Sequence, residues 1–281
     1  MIYKMDLIAN ADHLKKVLSN LRQATNALKD IPFDAVASYK PYVTMSNELE
    51  CLSAFKKGSD RSVSGVLMKS IETTSDLTDL GRFIHSPKSG DFLTISKKIR
   101  DYLLSDIGLW CVDISSCEAR IAGELAGDSK LIDDYECGDL YYHPNILRDD
   151  YKKAFLTYLN GGKDEYKIGD RYPTLQSWRL SEMRSNARWI TLLDGEKIER
   201  THNYKDISKL IQGNGAAILR IALKALQKSG IDNLPHLHDC IYCTSEQVQS
   251  VEKALSSVVR FKVSSEEMKS LKVKNAETVA V

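Results

Sequence analysis

The chain has 281 residues and a mass of 31.6 kDa, enough for two domains or one large one. Apolar residues at 43% and charged residues at 27% are globular values that argue against a disordered chain, and a formal net charge of +1 means that any nucleic-acid surface must be local. No apolar run approaches the ~18 residues of a membrane span, and the first residues, Met-Ile-Tyr-Lys-Met-Asp-Leu, lack a signal-peptide core, so the expectation is a cytoplasmic protein with no membrane partner and six reduced Cys thiols.

Residues 11–29 predict an amphipathic helix: Leu14, Val17, Leu18, Leu21 and Leu28 recur at helical spacing, Asp12 is the expected N-cap, and Pro32 lies past the end. Residues 46–75 predict a weakly patterned helix, and 86–91 a loop. The apolar stretch 107–114 predicts a buried strand ending in the polar turn Ser115-Ser116. A helix over 118–126 should follow, stopped by Gly127. Pro144 and Gly161-Gly162 bracket a helix over 145–160. Asp194-Gly195 predicts the turn of a hairpin within 189–200. Residues 206–228 carry the strongest helical pattern, and a strand–turn–strand follows near 236–244. Thr244-Ser-Glu-Gln247 is a capping box for a last helix over about 246–259. No internal repeat, low-complexity tract or linker divides the chain. This order of elements is α+β rather than a regular βαβ alternation.

Two Asp residues stand out. Asp113 closes the apolar strand, and Asp239 sits in His236-Leu-His238-Asp-Cys240-Ile-Tyr242. A carboxylate at the tip of a buried strand is costly unless it is solvated, paired or metal-bound. Two such strands side by side would bring both carboxylates together, and a divalent cation relieves their repulsion. Two Mg²⁺ about 3.5–4 Å apart on shared carboxylates suit in-line nucleotidyl transfer. From these two residues alone, strand ends far apart in space is the simpler reading.

The surrounding residues change that balance. Asp113-Ile-Ser115-Ser-Cys-Glu118-Ala-Arg120, a following helix, Gly127-Asp128, and the continuation Gly138-Asp139 to His143 resemble the first palm motif of family-A DNA polymerases. His238-Asp239-Cys240 resembles the family's His-Asp-Glu turn, with the Glu replaced. Gln212-Gly213-x-Gly-Ala216-Ala217 resembles the Gln-Gly-x-Ala-Ala helix before that turn. Arg148-x₃-Lys152-x₃-Leu156-x₃-Asn160-Gly161 resembles the fingers helix, its four-residue steps lying on one slowly drifting face. Leu156 stands in place of an aromatic that stacks on the nucleotide, and Asn160 in place of the Tyr beside the templating base. Gly81-Arg82 and the basic stretch Lys97-Lys98-Ile99-Arg100 resemble segments before the first palm strand. The resemblance spans about 81–245, with the motifs in family order.

The resemblance implies a palm, an antiparallel sheet with helices, carrying small fingers and a reduced, helical, thumb-like N-terminal region, with no exonuclease domain. Its boundaries would be 1–80 for the N-terminal region (thumb or partner-binding), 81–134 for the first part of the palm, 135–190 for the fingers and 191–281 for the rest of the palm. It implies template-directed DNA synthesis from nucleoside triphosphates on a DNA template and primer, with two Mg²⁺, or Mn²⁺ in their place, on Asp113 and Asp239. Arg148 and Lys152 would hold phosphates, with Lys152 also a proton donor to the leaving pyrophosphate. Ser115, Glu118, Leu156 and Asn160 would line the nucleotide site, Glu118 crowding the sugar 2′ position. Arg82 and Gln212 would touch the minor groove, and His238 the primer end. Short products, or dependence on an accessory protein or helicase, follow from the small thumb. De novo priming for a phage or mobile element is the alternative, with a non-catalytic polymerase relic and a two-metal nuclease behind it.

Residues 171–190 carry Arg171, Arg179, Arg184 and Arg188 with Tyr172, Trp178 and Trp189 between them. Such a segment suits either a surface that tracks a single strand, with Arg179 and Arg184 on nucleic acid, or Arg stems covering aromatic packing. Cys240-Ile-Tyr-Cys243 lacks a second ligand pair, so core cysteines are favoured over zinc. His236 and His238 are expected to alternate onto one face with Cys240.

Overall fold

The computed structural model describes residues 2–29, 36–61, 66–75, 83–84, 90–258 and 263–268. Strand β1 (Ile2–Asn10) alternates so that Met5, Leu7 and Ala9 are buried. Helix α1 (Ala11–Lys29) buries Leu14, Val17, Leu18 and Leu21, as their spacing predicts. Its cap is Asn10 rather than Asp12. The Asn10 side-chain oxygen accepts from the backbone N–H of Asp12 and His13 at 3.1 and 3.2 Å, because the strand runs directly into the helix.

Helix α2 (Val36–Lys57) is followed by β2 (Asp60–Arg61), β3 (Val66–Ser75) and β4 (Phe83–Ile84). These strands form an antiparallel sheet with β1, in the order β1-β3-β2, with β4 also on β3. The helix expected over 46–75 is thus present only to Lys57, and the helical region expected over 1–80 also carries strands. Residues 66–75 pair with β1 along its whole length, Met5 opposite Ile71. The strand alternation is masked because Lys69 lies opposite buried Leu7 on the inward face, where its Nζ donates to the Ala54 carbonyl of α2 at 2.9 Å.

After a 3₁₀ turn at Phe92–Thr94 come α3 (Lys97–Leu104), β5 (Leu109–Ile114), α4 (Cys117–Ala126) and α5 (Ser129–Cys137). Gly127 ends α4 in the left-handed region, φ +64°, as expected. Helix α6 (Arg148–Leu159) starts three residues later than predicted and is followed by α7 (Ile168–Arg171) and α8 (Pro173–Met183). The hairpin β6 (Trp189–Thr191) and β7 (Lys197–Glu199) turns through Asp194-Gly195. Helix α9 (Lys205–Lys228), β8 (His236–Leu237), β9 (Cys240–Thr244), α10 (Val248–Val258) and β10 (Val263–Glu267) complete the described chain, and the Thr244–Gln247 capping box is present.

The second sheet is antiparallel, in the order β10-β5-β9-β8. One face, through Val112, Ile114, Ile241 and Cys243, joins the main core with α4, α6, α9 and α10. The opposite face, through Leu109, Leu237, Cys240 and Tyr242, joins a core with Met5, Leu7, Leu18, Phe92 and Leu103. The N–H of Asp6 also donates to the Asn233 carbonyl at 2.7 Å, docking β1 on the loop before β8. Among the described residues, no helix is long and apolar enough to cross a membrane.

The β6–β7 hairpin is tied to α9 by an ion pair between Asp194 and Arg220, 4% and 1% exposed, at 2.6 Å. Removing one partner of a buried pair costs about 3–5 kcal/mol. Asp194→Ala is therefore expected to lower the urea unfolding free energy by about that amount, while Leu193→Ala at the exposed tip shifts it by less than about 0.5 kcal/mol.

Candidate active site

The pairing of β5 with β9 sets Asp113 opposite Cys240, one residue from Asp239, and the Ile114 N–H donates to the Asp239 carbonyl at 3.3 Å. Both turns beside these carboxylates use the left-handed region without glycine: Ser116, φ +54°, after β5, and His238, φ +55°, in the two-residue turn from β8 to β9. Asp113, His238, Asp239 and Cys240 line a cavity of about 390 Å³ whose wall also includes Lys97 and Arg100 of α3.

Burial pushes the Asp113 carboxyl up to about 7, the neighbouring Asp239 charge adds to the rise, and the Ile114 N–H, Lys152 and Lys97 pull against it. A divalent cation fits this pair because it removes the repulsion that raises Asp113. Among the described residues no cluster of three or more His, Cys, Asp or Glu forms a metal cage. The protein would thus supply two carboxylates, as is usual where a substrate's phosphates complete Mg²⁺ coordination.

The pH dependence has a definite sign. Between about pH 4 and 7 the native state holds a proton on Asp113 that the unfolded chain has released, so metal-free stability falls as pH rises through that window. Metal-free protein is expected to melt several degrees lower at pH 8 than at pH 5.5. Asp113→Asn or saturating Mg²⁺ should recover most of that drop at pH 8. A melting temperature that does not respond to either would contradict the paired-carboxylate geometry.

The other expected residues fall into three groups. The first is a network joining α4, α6 and α9. Asn160 Nδ2 donates to Glu118 Oε2 at 2.8 Å, and Asn160 Oδ1 accepts from Ser208 Oγ and Gln212 Nε2, both at 3.0 Å. Close approach makes it possible. Gly161, φ +89°, lies where a Cβ would sit 2.4 Å from the Tyr204 carbonyl oxygen. Ser208 was not foreseen, although its four-residue spacing from Gln212 puts both on one helical face.

The second group surrounds α6. Arg148 is bound through two bonds by Asp139, at 2.7 and 3.2 Å, and Lys152 is exposed on the next turn. Leu156 packs against the main core, and Ser115 Oγ donates to Ser264 Oγ at 3.3 Å.

The third group belongs to the fold. Arg179 is buried, donates to the Gly162 carbonyl at 2.7 Å and stacks on Tyr158, which corrects its expected place on a strand-tracking surface. Tyr172 is likewise buried, and Arg171 pairs with Asp134 at 2.7 Å. Arg184 is exposed at the end of α8, and Arg188 stacks on the exposed Trp189. His236 is buried opposite Ile241, away from the face of Cys240, because the turn at His238 breaks the expected alternation. Cys240 and Cys243 lie in different cores. Arg82 lies outside the described residues.

This sheet, flanked by helices on one side and a second α/β layer on the other, is similar in fold to a DNA polymerase domain. The POL domain of Pol1 from M. smegmatis, solved in complex with DNA primer-template and dNTP, matches with a TM-score of 0.64 and 14% identity, over 92% of this chain and 66% of that one. The chain thus spans slightly less than two thirds of its structural neighbour. No protein-family model and no curated protein sequence matches it.

Proposed function

We propose that the chain is a DNA polymerase of family-A type that transfers nucleotides from nucleoside triphosphates to a primer 3′ end under the direction of a DNA template. The observation that carries this reading is the meeting of Asp113 and Asp239 with Lys152 close enough to act on the Asp113 charge. Asp113 and Asp239 would hold two Mg²⁺, which when bound supply an activated 3′-oxygen and charge balance on the triphosphate.

The chain's own groups do the rest. Arg148 and Lys152 bind the phosphates, one helical turn apart. Lys152 carries a proton that it can give to the leaving pyrophosphate. Glu118, oriented by Asn160, flanks the sugar of the incoming nucleotide. Gln212 faces the minor groove of the primer–template, and His238 stands beside the primer end. The 135–190 segment plays the part of small fingers around a palm built from 81–134 and 191–281.

The second reading, synthesis of short primers or dependence on a partner, is favoured by the N-terminal unit. It shares one core with Leu109, Leu237 and Tyr242 of the carboxylate-bearing sheet, so it is a layer packed against that sheet rather than a separate thumb that closes on duplex. Such a chain would grip duplex backbone weakly.

Denaturing gels on single-stranded template with Mg²⁺ and all deoxynucleoside triphosphates test both. Elongation only with annealed primer, reduced to background in Asp239→Ala, is expected of the first reading. Products without primer would establish de novo priming. Absence of product together with absence of Mg²⁺-dependent nucleotide binding would overturn both.

A further inference from the structure

The two cations of α6 share one support. Tyr141 is 3% exposed, and its ring lies beneath both Arg148 Cζ, 5.4 Å from the centroid, and Lys152 Nζ, 5.3 Å away. Both distances are within the range of a cation–π contact. The ring is itself held on every side. Phe155 meets it edge-to-face at 5.9 Å, and the Tyr141 N–H donates to Asp139 Oδ1 at 3.0 Å. The same Asp139 holds the Arg148 guanidinium. The Ser116 side chain hydrogen-bonds the Tyr141 hydroxyl, and Ser116 is the left-handed residue of the turn that follows Asp113.

Arg148, at 54% exposure, and Lys152 are long side chains that water and rotamer freedom would otherwise scatter. We propose that Tyr141 is a positioning residue: its ring is a common platform that holds Arg148 and Lys152 ready for the terminal phosphates of a nucleoside triphosphate and sets their distance from the carboxylate-bearing turn. The inference rests on the polymerase reading and adds to it the residue that makes the two cations one site. Because the platform acts through the negative face of the ring, its strength depends on ring electrons and not only on ring shape.

That dependence supplies a test that packing alone does not mimic. Tyr141→Phe keeps the ring and its face. Replacing residue 141 with mono-, di- and trifluorinated phenylalanine then withdraws ring electrons with little change of shape, and Tyr141→Leu removes the ring. The readouts are the Mg²⁺-dependent dissociation constants of dATP and dAMP, with KM and kcat for primer extension. The expected result is a dATP constant within about twofold of wild type for Phe, rising stepwise to roughly 10-fold in the trifluoro variant, the size of two exposed cation–π contacts. KM should follow it, and kcat should fall alongside as Lys152 is displaced from the leaving pyrophosphate, while the dAMP constant stays within about twofold. A dATP constant that is flat across the fluorinated series, or a loss shared equally by dAMP, would overturn the platform while leaving the polymerase reading in place. Wild-type protein that binds no dATP would overturn the polymerase reading and the platform with it. The isosteric series keeps the result decisive even if Tyr141→Leu fails to fold.

Discussion

Two carboxylates that repel one another are held at the ends of adjacent antiparallel strands, and most of the molecule is arranged around that contact. Asp113 and Asp239 meet because β5 pairs with β9 in one register; a shift of one residue would turn Asp113 to the opposite face. The register is held by both faces at once. Val112, Ile114 and Ile241 are locked into the helical core, while Leu109, Leu237 and Tyr242 are locked into the core of the N-terminal layer. A strand buried on both faces cannot slide to separate its charges, so burial first, and the Asp239 repulsion after it, persist as a raised proton affinity on Asp113. A proton relieves that repulsion, and on the proposed reading a divalent cation would do so at the same place.

The network at Asn160 follows from a different property, the double nature of an amide. A side chain that must engage a carboxylate has to donate, and one that must engage a hydroxyl and a second amide nitrogen has to accept. Asn160 does both in one plane, with Nδ2 on Glu118 and Oδ1 on Ser208 and Gln212. It therefore joins α4, α6 and α9 where a phenol of the related motif would offer a single oxygen.

The carboxylate-bearing half was legible in the sequence because its signals are local. A capping box, a Gly after α4, an apolar run ending in Asp and a hairpin turn each specify their own element, and the order of the motifs supplied the rest. In the N-terminal half α1 was legible from its spacing, but the strands were not. Strand β3 depends on a partner some sixty residues away, and its period was blurred by Lys69, an inward-facing residue that works through its stem and its bond to α2. The site was legible as types of residue but not as contacts. Arg179 and Arg184 look alike in sequence; one is packed under Tyr158 and the other is exposed. Tyr141 sits in the stretch with one residue more than the related motif, and nothing in its neighbourhood marks it as lying beneath cations seven and eleven positions later.

The N-terminal layer also constrains how such a site could work. Cores are bistable or rigid rather than continuously deformable. Because β1, α1 and α3 share a core with the strands that carry Asp113 and Asp239, and because the Asp6 N–H anchors β1 to the loop that leads into β8, any swing of that layer would drag the carboxylates. Helix α6 is fixed in the same way, because Phe155, Tyr158 and Leu159 share the main core with Val112, Ile114 and Ile241, so what is left to move is its exposed side chains, Arg148 and Lys152. The sheet and the body of α6 are the fixed reference, and on the proposed reading the two cations above Tyr141 are the groups that a triphosphate would order against it.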